Sequence, residues 1–353
     1  MKHKILIMAG GTGGHIFPAL AVADHLHARD WDIIWLGAPN SMEAELVPQH
    51  GYPVAPVQFS GLRGKGMLRK LLLPLNLLLA LCQSAAVLLR HRPDVVLGMG
   101  GYITFPGGIM AVLMRRPLLI HEQNSIAGLS NKILARLATR VMSGFPHVLP
   151  AAEWCGNPVR DNISSLPEPL ARYSGRSGVL NLLVLGGSLG AQAINECVPQ
   201  ALALLPQKFR HNVLHQTGKQ HLETVQTAYQ QAAVKAESRA FLNDMAQHYG
   251  WADLVICRAG ALTIAELAAT GVASILVPYP FAVDDHQTSN AHFLSDHGAA
   301  ILMQQTELNP QSMANLLQGI TRERAQIMAQ TARKLAKPEA TRCVAQICME
   351  QAG

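Results

Sequence analysis

The sequence predicts an α/β protein of two similarly built domains, each organised on a parallel β-sheet, and three observations carry that prediction. Two short apolar runs, Lys4–Met8 and Asn181–Leu185, lead straight into glycine-rich turns, Gly10-Gly11-Thr12-Gly13-Gly14-His15 and Gly186-Gly187-Ser188-Leu189-Gly190. A helical pattern follows each turn, so one strand–turn–helix unit occurs twice, a domain's length apart. The 353 residues match two domains of ordinary size, each able to bury its own core. Such turns aim backbone N–H groups and a helix N-terminus at an anion. A pair of them suggests a nucleotide or phosphorylated ligand between the domains.

In order along the first half, the apolar strand Lys4–Met8 is followed by a helix over 17–29, a strand over 32–36 and a helix over 42–50. A strand over 94–97 ends in a third glycine cluster, Gly98-Met99-Gly100-Gly101-Tyr102; a strand over 117–121, a helix over 129–138 and a strand over 140–143 complete this half. The second half has strands over 181–185, 212–216, 254–257 and 274–277, with helices over 191–205, 262–270 and 287–296. Short apolar strands alternating with helices mean parallel sheets with right-handed crossovers. Pro167, Pro169, Gly175 and Gly178 interrupt any period, which predicts a linker. The expected domains are 1–160, a linker over 161–177, 178–337, and a last helix over 338–353 that could pack on either domain.

Residues 71–89 carry no charge over a length that nearly spans a bilayer. Pro74, Asn76, Gln83, Ser84 and the strand that follows at once argue against a spanning helix. A plain core helix is an alternative. The preferred expectation is a helix with one face in the core and Leu75, Leu78 and Leu79 available to a membrane. Lys65, Arg69, Lys70, Arg90 and Arg92 flank it, as an anchor on anionic lipid requires.

Composition narrows the partners. Apolar residues make up 49% and charged residues 15%, the profile of a compact chain and not a disordered one. Lys+Arg 29 against Asp+Glu 23 gives a net charge of +6, which favours anionic lipid or nucleotide phosphates. Aromatics at 5% and the lack of a dense basic run speak against nucleic acid. Cys82, Cys155, Cys197, Cys257, Cys343 and Cys348 form no CxxC pair, so reduced thiols are expected, without a zinc site or disulfide framework. The first apolar run is too short for a signal peptide.

Familiar nucleotide chemistries fit poorly. A dinucleotide site wants an acid at the end of the second strand, and here Leu36-Gly37-Ala38-Pro39-Asn40 and Gln216-Thr217-Gly218-Lys219 have none. No GK[ST] follows either glycine turn, so a Walker loop is absent. Asp30-Trp31-Asp32 falls at a helix-to-strand turn, Asp284-Asp285 lacks His or Cys at ligand spacing, and His121-Glu122 does not continue to HExxH; no metal is expected. More informative is Cys257-Arg258-Ala259-Gly260-Ala261-Leu262-Thr263-Ile264-Ala265-Glu266, where a strand end, a glycine and a helix start make another anion-facing terminus. Glu266 is either a carboxylate favoured by the helix dipole or one that holds a ribose diol. The segment from Pro278 to Asn290 suits sugar hydroxyls, or simply caps a helix.

With GGTGGH at 10–15, GMGGY at 98–102, HEQN at 121–124, GNPVR at 156–160, GGSLGA at 186–191, CRAGALTIAE at 257–266 and DxxQxxNA from Asp284, the chain resembles the MurG family, bacterial UDP-GlcNAc-dependent transferases that turn lipid I into lipid II. The motifs run in order over nearly the whole chain. The resemblance implies a glycosyltransferase-B fold, two Rossmann-like domains whose parallel sheets face a deep cleft. It implies that Glu266 binds the ribose, and that Arg160 and the Leu242 backbone frame the uracil. Ser188 and the backbone of Ala261, Leu262 and Thr263, in the run continuing through Ile264 and Ala265, would meet the diphosphate. Thr12, Gly13 and Gly14 would close on it, and Asn124 and Gln287 would read GlcNAc hydroxyls. Thr104-Phe105 and Leu189 depart from the expected Ser-Gly and Gln.

The implied reaction is an inverting displacement in which the acceptor's C4 hydroxyl attacks the anomeric carbon and UDP leaves. Its growing charge would be met by helix N-termini and glycine-turn N–H groups. His15 is the first choice of general base and Glu122 the reserve; Tyr102 would position the acceptor. UDP-GlcNAc enters as substrate and no cofactor is expected. The expected partners are UDP-GlcNAc, the lipid I acceptor, an anionic membrane surface and other cell-wall synthesis and division proteins, at the cytoplasmic face of the bacterial inner membrane. An epimerase-like enzyme or a non-enzymatic nucleotide-sugar sensor would share the cleft, but neither needs the apolar segment.

Overall fold

The computed structural model describes residues 2–59, 72–187 and 190–353. They form two units, Met1–Val159 with Pro338–Gly353, and Arg160–Lys337. The first holds β1 (Lys4–Met8), β2 (Asp32–Gly37), β3 (Val54–Pro56), β4 (Val95–Gly98), β5 (Leu118–Glu122), β6 (Arg140–Ser143) and β7 (Glu153–Trp154), in the order β3-β2-β1-β4-β5-β6-β7. The second holds β8 (Asn181–Leu185), β9 (Asn212–Gln216), β10 (Ala236–Arg239), β11 (Leu254–Cys257), β12 (Ala273–Leu276) and β13 (Ala300–Leu302), in the order β10-β9-β8-β11-β12-β13. Every pairing in both sheets is parallel.

Each order reverses beside the unit's first strand, the doubly wound arrangement of a Rossmann-like sheet. At that reversal the chain leaves to opposite faces, and a crevice opens past the strands' C-terminal ends. Register brings the ends level: Met8 pairs with Leu36 and Gly98, and Leu185 with Gln216 and Cys257. All the glycine turns singled out above therefore sit at these two switch points.

Period-2 alternation splits the first sheet's side chains between two cores. Ile5, Ile7, Val95, Leu97 and Leu119 pack with Ile16 and Leu20 of the helix Gly13–His27 and with Val344 and Ile347 of the helix Ala340–Gln351. Leu6, Met8, Val96, Leu118 and Ile120 face Ala111 of the helix Thr104–Leu113 and Leu134 of the helix Leu129–Leu134. The second unit has an equivalent core around Leu182, Val184, Leu254 and Ile275.

Three expectations change, and the placement of the last helix, left open by the sequence, is decided. The first helix begins at Gly13, not Phe17, which puts His15 in its opening turn. Residues 161–177, read as a linker, carry the helices Asp161–Ser164 and Pro169–Tyr173 and belong to the second unit. The prolines and glycines there punctuate short helices. Arg176 reinforces the attachment, since its Nη1 donates to buried Asp253 Oδ1 at 2.5 Å. The last helix joins the first unit. Finally, Cys155 and Cys343 form a disulfide with Cα atoms 5.8 Å apart, within the bridging range. At a sequence separation of 188, no local spacing could announce that pair; the last helix brings Cys343 to the end of β7.

The apolar segment forms the helix Leu73–His91, with Pro74 in its first turn and Arg92 in the left-handed region closing it. It is long and apolar enough to cross a membrane by length and composition. Ala80, Ser84 and Leu88, four residues apart, are its buried face. Leu75, Leu78 and Leu79 are 63%, 58% and 46% exposed. Residues 60–71, with Lys65, Arg69 and Lys70, lie outside the described residues.

Candidate active site

At the first switch point two glycine turns pack against each other. Gly10 N–H donates to Gly100 O, and a Cβ on Gly101, at φ +87°, would stand 2.4 Å from Gly10 O. Buried Glu43 accepts from Gly11 N–H and Ala38 N–H, each at 3.1 Å. One turn N–H is thus already committed to a carboxylate. Thr12 caps the helix in extended conformation without a side-chain bond, which leaves the first-turn N–H groups of Gly13 and Gly14 as the anion-facing ones. Tyr102 lies beside Gly11; burial first, and Glu43 second, raise its hydroxyl above the usual tyrosine value.

His15 is half-buried, and its Nδ1 lies 2.8 Å from Gln123 Oε1. The ring rests against Gly100, where a Cβ would come within 2.7 Å of Nδ1. Glu122 occupies a different place from the one expected of a base. Its Oε1 accepts from Asn124 N–H at 2.9 Å and from Asn124 Nδ2 at 3.4 Å; its Oε2 accepts from Gly128 N–H at 3.1 Å and Asn131 Nδ2 at 2.9 Å. At 2% exposure this carboxylate holds its own loop. The cause is strand alternation: Glu122 points to the face of the helix Leu129–Leu134, away from Gln123 and His15. Asn124 is positioned by Glu122 within the first unit.

At the second switch point, β11 ends in Arg258-Ala259-Gly260, and the helix Ala261–Thr270 starts with Gly260 as its extended cap. Ala261, Leu262 and Thr263 have N–H groups without partners inside the helix. Ile264 does not share that role: its N–H donates to Gly260 O at 2.9 Å, its side chain is core, and Ala265 lies inside the helix. Glu266 is buried; its Oε1 meets Arg160 Nη2 at 3.3 Å and its Oε2 accepts from Tyr249 Oη at 3.0 Å. Burial raises its carboxyl above the ordinary range, and Arg160 opposes the rise.

Two other candidates have committed ends. Leu242 N–H donates to Gln216 Oε1 at 3.0 Å, so its carbonyl is the polar group it can offer. Gln287 Oε1 accepts from Ala259 N–H at 3.3 Å and Tyr279 N–H at 2.9 Å, which turns Nε2 outward as a donor. Ser188 and Leu189 lie outside the described residues. Glu43 and Tyr249 escaped the sequence reading, and His121, Gln123 and Gln216 received no site role in it. For His121 and Gln123 a signal existed, since residues two apart at the end of β5 share a face.

Two open parallel sheets, each with glycine turns and helix N-termini at its switch point, define the class: a glycosyltransferase of the B fold. Residues 5–143 match the glycosyltransferase family 28 N-terminal domain and residues 181–347 its C-terminal domain. A UDP-N-acetylglucosamine–N-acetylmuramyl-(pentapeptide) pyrophosphoryl-undecaprenol N-acetylglucosamine transferase of Nitrosospira multiformis is 58% identical over 99% of both chains. The transferase of the same name from Ralstonia nicotianae is 56% identical over 100% of this chain and 97% of its own. The crystal structure of Acinetobacter baumannii MurG superposes with a TM-score of 0.88 at 41% identity, covering 99% of each chain. The chain belongs to this family of N-acetylglucosamine transferases, within glycosyltransferase family 28.

Proposed function

We propose that the protein moves GlcNAc from UDP-GlcNAc to the C4 hydroxyl of the MurNAc in lipid I, giving lipid II with inversion at the anomeric carbon. The observation that carries this reading is the 58% identity, over 99% of the chain, to a transferase named for that donor and acceptor. The second unit takes the donor: Glu266 accepts from the ribose hydroxyls, Arg160 and the Leu242 carbonyl frame the uracil, and Gln287 donates to a sugar oxygen. The N–H groups of Ala261, Leu262 and Thr263 meet the diphosphate, whose charge grows as the glycosidic bond breaks. The first unit takes the acceptor, with Tyr102 beside it and the N–H groups of Gly13 and Gly14 facing anionic oxygen. His15 Nε2 accepts the proton as the C4 oxygen attacks. Leu75, Leu78 and Leu79 seat the first unit on the cytoplasmic face of the inner membrane, where a polyprenyl acceptor resides. UDP release should require a polyprenyl-diphosphate-MurNAc acceptor. Release without it would favour an epimerase-like enzyme, and binding of UDP-GlcNAc without turnover a sensor.

A further inference from the structure

The His15 ring ends a buried chain of hydrogen bonds whose polarity can be worked out from its far end. His121 is fully buried, and its Nε2 lies 2.9 Å from Gly156 O. A carbonyl oxygen only accepts, so His121 Nε2 carries the proton. Burial pushes His121 down to about 4, so near neutrality the ring has one proton and Nδ1 is a bare acceptor. Gln123, 1% exposed, places Nε2 at 3.1 Å from that Nδ1 and 3.2 Å from His121 O. Those two acceptors take both amide hydrogens. Oε1 is thereby turned toward His15 Nδ1, 2.8 Å away. The opposite polarity would set the Gln123 oxygen against a carbonyl oxygen, and a bare His121 nitrogen against Gly156 O. Asn157 Nδ2 donates to Gln123 O at 2.9 Å, so the Gly-Asn pair of the GNPVR motif steadies both members.

We infer that Gln123 and His121 are positioning residues that hold His15 with its proton on Nδ1 and its lone pair on Nε2, the form a general base needs. The inference rests on the proposal that His15 is that base. An imidazole in water favours the opposite tautomer, so the chain has a task that simple packing would not perform. The group that orients the His15 ring is neutral: a carboxamide fixes it without adding the charge a carboxylate would.

The test uses the full-length protein labelled with 15N in its histidine rings, at about pH 8, with the His15 signals assigned by their loss in His15→Gln. The expected parent spectrum shows a protonated Nδ1 and a bare Nε2. Gln123→Met should move His15 toward the Nε2–H form and lower kcat by about 10- to 100-fold while UDP affinity stays at the parental value; thermal melting should fall, because the buried His121 Nδ1 and His121 O lose their donor, so the His15 tautomer and not the stability is the deciding readout. A parent His15 in the Nε2–H form overturns the inference, and so does Gln123→Met at parental kcat while His15→Ala is crippled; in that case the base reading survives alone. Full activity in His15→Ala would remove the base itself, and the purpose of the chain with it.

Discussion

Glu266 offers the sharpest test of the donor site, because its two oxygens already have partners whose loss can be told apart from the loss of ligand. Glu266→Ala removes the charge-assisted contact to the ribose, which should weaken UDP by about 1.5–3 kcal/mol, about ten- to hundred-fold in Kd. It also strands the hydroxyl of Tyr249, a side chain only 1% exposed, at a cost of about 1–3 kcal/mol in stability. Glu266→Gln keeps the volume and an acceptor for Tyr249 and loses only the charge, so it should melt like the parent and bind UDP at an intermediate level. Titration calorimetry with UDP, paired with thermal melting, separates the two effects. Because burial raises the Glu266 carboxyl and Arg160 holds it down, Arg160→Gln should let it rise further. Affinity in that variant should then begin to fall at a higher pH than in the parent, as protonation cancels the carboxylate's charge. Parental UDP affinity in Glu266→Ala would take this residue out of the site.

Other outcomes follow from the same geometry. His15→Ala should lower kcat by about 10²–10⁴ with donor affinity less affected; parental turnover would hand the proton to solvent. Leu75→Glu with Leu79→Glu should release the protein from anionic vesicles, each leucine weakening attachment by about 1–3 kcal/mol. Activity on a short-chain soluble acceptor should persist, and flotation of the double variant with the vesicles would refute the patch. Burial holds His121 to about 4 and His215 to about 3, against about 6.5 in an unfolded chain. Stability is therefore complete above about pH 6.5 and is lost as the pH falls toward those folded values, by roughly 3 kcal/mol or more per histidine. Denaturant midpoints that stay level through that window, in a variant keeping all carboxylates, would contradict their burial as neutral rings.

Much of the architecture was written locally. An apolar run followed by a glycine turn and a helical period is a short-range pattern, and the chain repeats it at both switch points. Parallel pairing then follows, because a strand that leaves into a helix returns in the same direction; the order, in which β4 returns beside β1 and β11 beside β8, does not. Positive φ at Gly101 and Gly190 likewise belongs to turns that could be read as turns. The exposed leucines of the helix Leu73–His91 follow from an uncharged stretch that has only one face to bury.

Which face each polar side chain takes, and whom it meets, was decided elsewhere. Glu122 and Gln123 are adjacent in sequence, yet strand alternation sends one to Asn131 and the other to His15, 108 residues away. Glu266 meets Arg160 across 106 residues, and Cys155 meets Cys343 across 188. A one-dimensional pattern names the residues suited to an anion, a diol or a proton. Only the packing of helices on the two sheet faces determines which groups are spent on one another and which remain for a substrate, since a buried donor or acceptor takes whatever partner the fold sets within 3 Å or so of it.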